Sequence, residues 1–483
     1  MPLYNPNDYD RIFAGKNPSG FSKSDSYRSD FRRDYARLIH CPAFRRLNGK
    51  TQLFPGFESD FFRNRLTHSM EVAQIAKSIA TKLNSEQPFL KEQGEINLDL
   101  VEVAALAHDL GHPPFGHNGE LALDRCMIKH GGFEGNAQTL RILSVLEKKK
   151  TNDHVGYGVK KEAGTGKVTD CRYGLDLCAR TLAAVLKYDT VIPVTRGQTY
   201  TRPTKGYYKS EASLVTKIKQ SVLGSRHAPS TTPFKTLECQ IMDIADDIAY
   251  STYDLEDAFK AEFLSPMVLI AAENSLLDKV SDEINRSSKG EINPAVNRDQ
   301  VRAVLLRIFD VYLKDDQMKV NDSRSRVKYL VRRYRALTRV AKVGYVRTAF
   351  TANLVGELIS GIRFEPNKKE PALSRVFLNP SIRLKVAVLK QITYVSLIMS
   401  PRLKFAEYRG QEIVKTLFER LSENNGHVLL PDDYRQWYDR FVNDDAKRKR
   451  VICDFVAGMT DRYAVEFYAR LRSESPETIF KPV

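Results

Sequence analysis

A chain of 483 residues with 42% hydrophobic and 28% charged side chains has an ordinary globular composition, room for two or three average domains, and none of the low-hydrophobicity signature of disorder. No apolar run approaches about 18 residues and none follows a charged start, which argues against a membrane span and a secretory signal; with the polar opening MPLYNPNDYDR, a cytoplasmic protein is expected. The formal charge of +16 either concentrates phosphorylated partners, nucleotides and nucleic acids alike, or is simply a solvated basic surface.

Residues 1–65 are rich in Arg, Asp, Tyr and Phe and read as irregular segments around a short helix near SDFRRDYARLIH. In LTHSMEVAQIAKSIATKL the apolar positions Leu66, Met70, Ala73, Ala76, Ala80 and Leu83 recur every three or four residues, the period of a half-buried helix. His68 sits in its first turn. NLDLVEVAALAHDLGH predicts a second helix, capped by Asn97 and stopped by Pro113 and Pro114, and GNAQTLRILSVLEKK a third. The Gly- and Lys-rich residues 151–175 predict an exposed loop, followed by a helix around LDLCARTLAAVLKY and another loop through 190–210. GTGK at 164–167 lacks the glycine spacing and the following Ser or Thr of a phosphate-binding loop.

Residues 236–261 predict one long helix, and 265–475 mostly further helices. The six cysteines, Cys41, Cys126, Cys171, Cys178, Cys239 and Cys453, form no CxxC pair and read as reduced, partly buried thiols. With no run of alternating strands and no internal repeat, the expected fold class is all-α.

Three of the nine histidines fall in LAHDLGHPPFGH, residues 106–117. Imidazole beside carboxylate suits Mn, Fe, Co, Ni or Zn better than Ca; a polar helix end that caps backbone groups is the competing reading of His108, Asp109 and His112. On the long helix, Leu237, Ile241, Ile244, Ile248, Leu255 and Phe259 fall within roughly 40° of one line at 3.6 residues per turn. Asp243, Asp246, Asp247, Tyr250, Asp254 and Asp257 occupy the other side. Such a stripe is either solvated or, with Asp246, Tyr250 and Asp254 spaced i, i+4, i+8, the lining of a cation-bearing pocket.

Through TQLFP, RLTHSMEV, HDLGHPPFGHNGE, FEGNAQTLRIL and ADDIAYSTYDLEDA, in that order, residues 45–260 resemble the HD-domain deoxynucleoside triphosphate triphosphohydrolases, the dGTPase-like proteins. Five ordered, separately spaced motifs are far more specific than one His-Asp pair. The resemblance implies an HD-domain helical phosphohydrolase core with additional C-terminal helices, divided as an N-terminal segment at 1–65 that contributes to the pocket, a catalytic core at 66–265 and a helical region at 266–483 that supports the pocket and an oligomer interface. It implies that His68, His108, Asp109 and Asp246 hold a divalent metal ion, Mn, Mg or similar, with open positions for water and a phosphate oxygen.

By the same resemblance His117 is the catalytic histidine and Glu120 its carboxylate partner, while Gln52, Tyr250 and Asp254 hold the deoxyribose. His112 is outside the ligand quartet, with a supporting or phosphate-facing role. A triphosphate also needs cations; Arg45, Asn136 and Lys187 are the preferred phosphate contacts, out of a group that includes Arg46, Arg63 and Arg65.

The expected reaction is hydrolysis of a dNTP to deoxynucleoside and inorganic triphosphate. An HD-type phosphodiesterase or 5′-nucleotidase shares the metal ligands, and a nucleic-acid-binding protein with a vestigial HD site is the reading from a different class. Between Arg324 and Arg347 nine basic residues occur and no acidic one. They suit single-stranded DNA, an effector dNTP at a subunit interface of a homo-oligomer, or solvent. Arg347 is a further candidate for the active site.

Overall fold

The computed structural model describes residues 2–12, 27–52, 62–149, 158–161, 168–196, 202–224, 234–288, 292–313, 323–398 and 401–472. GTGK at 164–167 lies outside them, as do residues 53–55 of TQLFP. The fold is all-α: twenty α-helices stand against three two-stranded sheets among the described residues. No described helix is long and apolar enough to cross a membrane.

Contacts divide the chain into two compact units, one of Met1–Asp243, Glu365–Arg375 and Phe405–Val483, the other of Ile244–Phe364 and Val376–Lys404. This grouping cuts across the linear segments 1–65, 66–265 and 266–483, because the C-terminal helices pack in the first unit with the histidine motifs. Their core joins Leu123, Met127 and Phe133 to Val414, Leu417, Trp437, Ile452 and Phe467. A buried ion network pins the same junction. Arg141 forks onto Asp454 with Nε–Oδ1 3.0 Å and Nη2–Oδ2 2.8 Å, and reaches Glu211 at 2.8 Å; removing one partner would strand a buried charge.

Within the first unit, Arg65–Glu86 forms a helix because Asn64 and Thr67 cap it reciprocally, each side chain accepting the other's backbone N–H. It packs along the Leu98–Ala107 helix through Val72, Ile75, Ala76, Ile79 and Leu83. The expected line is buried at Ala73, Ala76, Ala80 and Leu83 but departs at Met70, which is 57% exposed, while the polar Arg65, His68 and Ser69 are buried beside it. Polar groups turn inward in the first turn, which apolar periodicity does not register.

Asn97 caps the next helix as expected, its Oδ1 accepting Leu100 N–H at 3.0 Å. That helix ends at Ala107, well before the two prolines. Gly111 explains the early end, since a Cβ there would lie 2.0 Å from the Gly135 carbonyl oxygen. Thr139 satisfies the unwound turn: its Oγ1 donates to the His108 carbonyl at 3.1 Å and accepts Gly111 N–H at 3.0 Å. His108 and His112 therefore do not share the face of one α-helix.

The expected third helix is Gly135–Arg141, running into a π-helical turn at Ile142–Leu146. Part of the expected 151–175 loop is instead an antiparallel pair, Val159–Lys161 with Val168–Asp170, and Val191–Ile192 pairs in parallel with Tyr207–Tyr208 within 190–210. Strands of two or three residues are too short to leave a period. The long helix is Leu237–Lys260. All six cysteines are free thiols, Cys126 half-buried and the others buried.

The second unit is built from helices that include Asn274–Ser287, packed on Pro380–Ile398, and Gly344–Ser360, with Phe309 and Phe350 stacked at 5.4 Å. Lys390 Nζ donates to Asp247 Oδ1 at 2.6 Å, so Asp247 is paired with a basic side chain. Asp254 and Asp257 are 1% and 2% exposed, which rules out a uniformly solvated acidic face. On the Ser323–Lys342 helix, Arg332, Arg335, Arg339 and Lys342 are exposed, as are Val327, Leu330 and Tyr334.

Candidate active site

The first unit brings His68, His108 and Asp109 together, all buried, with one potential ligand atom from each within 4.8 Å of the others. His68 comes from the first turn of the Arg65–Glu86 helix, His108 and Asp109 from the unwound turn after Ala107. His108 Nδ1 lies 2.6 Å from the Ala105 carbonyl. A carbonyl only accepts, so Nδ1 carries the proton and Nε2 keeps its lone pair. That Nε2 is 3.4 Å from Asp109 Oδ1, so two donor atoms converge. Fixing the tautomer through the outer nitrogen is how metal-binding histidines are ordinarily oriented.

Asp109 is held from two further sides. Arg65 Nη1 donates to Oδ2 at 2.7 Å, and His112 Nδ1 is 3.0 Å from Oδ1. Burial alone would raise this carboxyl, but His112, His108 and Arg65 outweigh it and hold it well below the ordinary carboxylate range. His112 is pushed down to about 4 by burial, with the Arg65 guanidinium adding to the effect. It is a neutral imidazole at pH 7 that supports Asp109.

His117 and Glu120 lie on the Gly116–Cys126 helix, His117 Nδ1 being 3.0 Å from Glu120 Oε2. Their exposures are opposite, 75% for the histidine side chain and 4% for the carboxylate. A buried anchor thus grips one ring nitrogen and leaves Nε2 toward solvent. Glu120 Oε1 accepts Gly135 N–H at 2.9 Å. Burial opposes its ionisation, but the His117 hydrogen bond and Lys205 lower its pKa and keep it anionic.

His112, His117 and Glu120 also lie close enough to hold an ion. Lys205 decides against it, since its ammonium stands 3.8 Å from Glu120 and 2.8 Å from Glu134, already supplying positive charge there.

The remaining sequence candidates fall in both units. In the first unit Gln52 Oε1 is buried without a hydrogen-bond partner among the described residues. Arg45 is exposed and reaches the His40 carbonyl at 3.3 Å. Asn136 donates to Glu134 at 2.7 Å, and Lys187 pairs with Asp243 at 2.5 Å. Asp246, Tyr250 and Asp254 follow one another along the long helix in the second unit. There Arg347 lies 3.9 Å from Glu256. A cavity of about 530 Å³, lined by Arg37, Cys41, Glu147 and Tyr434 among others, contains none of these residues.

Sequence reasoning missed Arg65 as the partner of Asp109, although it noted the arginine, and missed Lys205. Arg65 stands three residues before His68, so a cation in the same helical turn as a candidate metal-ligand histidine was the available signal. Nothing near Lys205 in the sequence announces its carboxylate partners.

A model of the HD domain matches residues 65–163, and one of the phosphohydrolase-associated domain matches residues 376–470. Similar curated proteins include the deoxyguanosinetriphosphate triphosphohydrolase-like protein 2 of Mesorhizobium japonicum, 44% identical over 95% of this chain and 96% of that protein. Deoxyguanosinetriphosphate triphosphohydrolase-like proteins of Aliivibrio fischeri and Vibrio cholerae are 32% and 31% identical, each over 93% of this chain and covering 94% and 95% of their own lengths. Matches of this extent, with the His-Asp turn and the His117–Glu120 pair on adjoining segments, place the chain in the deoxyguanosinetriphosphate triphosphohydrolase-like family of HD-domain phosphohydrolases.

Proposed function

We propose that the protein hydrolyses deoxynucleoside triphosphates at the α-phosphate, giving a deoxynucleoside and intact inorganic triphosphate. The observation that carries this reading is the solvent-facing His117, gripped through Nδ1 by the buried Glu120, on the segment that follows a buried cluster of two imidazoles and a carboxylate. That donor set fits a divalent transition ion such as Mn better than Ca, which needs more hard oxygens, and Mg is retained on the family resemblance. Asp246 is assigned as its fourth ligand on sequence resemblance.

When bound, the ion polarises a phosphate oxygen and lowers the pKa of water. His68, His108 and Asp109 orient it, and Arg65 and His112 keep Asp109 ionised and fixed. Water oxygen adds to the α-phosphorus and the bond to the 5′-oxygen breaks, so one proton leaves the water and one is taken up by the departing oxygen. His117 Nε2 performs one of these transfers, and Glu120 holds the ring in place. Gln52, Tyr250 and Asp254 are the proposed deoxyribose contacts; a ring against C2′ disfavours a 2′-hydroxyl, and groups that bond the 3′-hydroxyl penalise analogues lacking it.

Arg45, Asn136 and Lys187 are the proposed phosphate contacts, and Lys205 joins them from its place beside Glu120. Lys187 would have to leave Asp243 to serve. A cytoplasmic homo-oligomer that binds an effector dNTP or single-stranded DNA on its basic helix completes the proposal.

The test is to strip the protein of metal, reload it with Mn or Mg, and assay the four dNTPs singly and in pairs by ion-exchange chromatography. Triphosphate release that chelator abolishes is expected. Monophosphate with pyrophosphate would favour the phosphodiesterase-type reading. No turnover under any pairing, with DNA binding unaffected by His108→Ala or Asp109→Ala, would favour the nucleic-acid-binding one.

A further inference from the structure

The backbone just before His117 is held in an unfavourable shape. Phe115, the residue at the N-cap of the His117 helix, has φ 61° and ψ 22°, and Gly116 follows with φ 58°. Glycine adopts this left-handed region freely, but a bulky residue does so only when its surroundings impose it. Phe115 has no side-chain capping role. Its conformation sets the direction in which the helix, and therefore the His117 ring two residues on, leaves the Pro113-Pro114 turn.

The imposing group comes from the far end of the chain. Asp461, 3% exposed, accepts Phe115 N–H on Oδ1 at 2.9 Å. Its Oδ2 accepts Thr51 N–H at 2.8 Å and also the Thr51 hydroxyl, next to the candidate sugar contact Gln52. Although Asp461 opens the Asp461–Arg472 helix, Thr460 Oγ1 is the acceptor for Tyr463 N–H in that first turn. The carboxylate of Asp461 is thus committed outward.

Two neighbouring contacts act in the same sense. Lys50 Nζ bridges the carbonyls of His112 and Ala457 at 2.5 and 3.0 Å, and the Phe115 side chain packs where a Cβ on Gly410 would approach its Cβ to 2.8 Å. Gly410, Ala457 and Asp461 all lie in the segment that matches the phosphohydrolase-associated domain.

We propose that Asp461 is a positioning residue: by holding the Phe115 amide and Thr51 on its two carboxylate oxygens, it fixes the left-handed turn that aims His117 at the reacting phosphate. The catalytic part of this inference rests on the function proposed above; the clamp itself does not. It also gives the C-terminal domain a specific task in the active site, beyond covering the core.

The test compares Asp461→Ala with Asp461→Asn in the full-length chain loaded with Mn. Misplacing a catalytic group by about 1 Å costs on the order of 100-fold in rate, so Asp461→Ala should lower kcat by about that factor while the Mn titration stays at wild type. Asp461→Asn keeps an acceptor for Phe115 and should retain at least about ten times the kcat of the alanine variant. Hydrogen exchange at the Phe115 amide supplies the second readout, slow in wild type and Asp461→Asn and fast in Asp461→Ala. If the alanine variant fails to fold, the exchange rate and kcat of Asp461→Asn still decide, since loss of both to unprotected and inactive levels contradicts the clamp. Wild-type kcat in Asp461→Ala, equal loss in both variants, or unchanged Phe115 exchange would overturn the proposal. Should wild type release no triphosphate, the function would fall while the exchange comparison still judged the clamp.

Discussion

At the scale of single residues, the fold sets apart two groups of side chains that the sequence crowds into residues 108–120. His108 and Asp109 face the buried cluster, His112 props Asp109, and His117 is turned outward by Glu120. This division predicts different failures. His117→Ala should lower kcat by about 100- to 10,000-fold, the usual worth of a general acid or base, and leave Mn binding intact. Glu120→Gln removes the acceptor for Nδ1–H and should cost about 10- to 100-fold. Parallel metal titrations and steady-state rates check both. Loss of Mn binding in His117→Ala would instead put that ring among the metal ligands. His68, His108 and Asp109, which the fold brings together, were legible through RLTHSMEV and HDLGHPPFGHNGE, the local motifs that carry the family resemblance. Arg65 was visible as a cation but not as their support, because the contact that gives it meaning spans 44 positions in the chain.

At the scale of elements, the informative departure is the helix that stops at Ala107. Its cap at Asn97 could be read directly, whereas its end depends on Gly135 and Thr139 of another helix pressing against Gly111. A Gly111→Ala side chain would meet Gly135 O at 2.0 Å and Thr139 N at 2.4 Å, both backbone atoms that cannot swing away. Overpacking of this kind costs about 1–3 kcal/mol or more, so a lower thermal midpoint is expected together with lost activity, and an unchanged midpoint would contradict the close crossing.

Farther along, Asp243 on the long helix is gripped by Lys187 and Lys235. Burial works against its charge, but the two ammonium groups lower its pKa from 3.8 to about 2. A depressed carboxyl contributes stability that is present above the unfolded value, near pH 4, and is lost as pH falls through about 2. Asp243→Asn should therefore flatten the acid-unfolding curve between those limits, as followed by circular dichroism; an unaltered slope would show the lysines elsewhere. The short strand pairs at 159–170 and 191–208 escaped the sequence because two or three residues cannot display a period.

At the scale of the molecule, the helical class and the five motifs were legible, since long amphipathic segments and local spacings survive in one dimension. The grouping of the C-terminal helices with the His-Asp turn was not. It is made by Leu123, Phe133 and Arg141 meeting Val414, Ile452 and Asp454, pairs separated by hundreds of residues and ordinary in type. The exposed cations of the Ser323–Lys342 helix fit the net charge of +16 without naming a ligand, because charge attracts phosphate without specifying its owner.

In the proposed reaction water adds to the α-phosphorus and triphosphate leaves whole. It is tested most directly by turnover of a dNTP with Mn in ¹⁸O-labelled water, followed by ³¹P spectroscopy and mass measurement of both products. Triphosphate bearing one ¹⁸O on a terminal phosphorus is expected, together with an unlabelled deoxynucleoside. Orthophosphate or pyrophosphate as the primary product, or label in the 5′-hydroxyl, would contradict it.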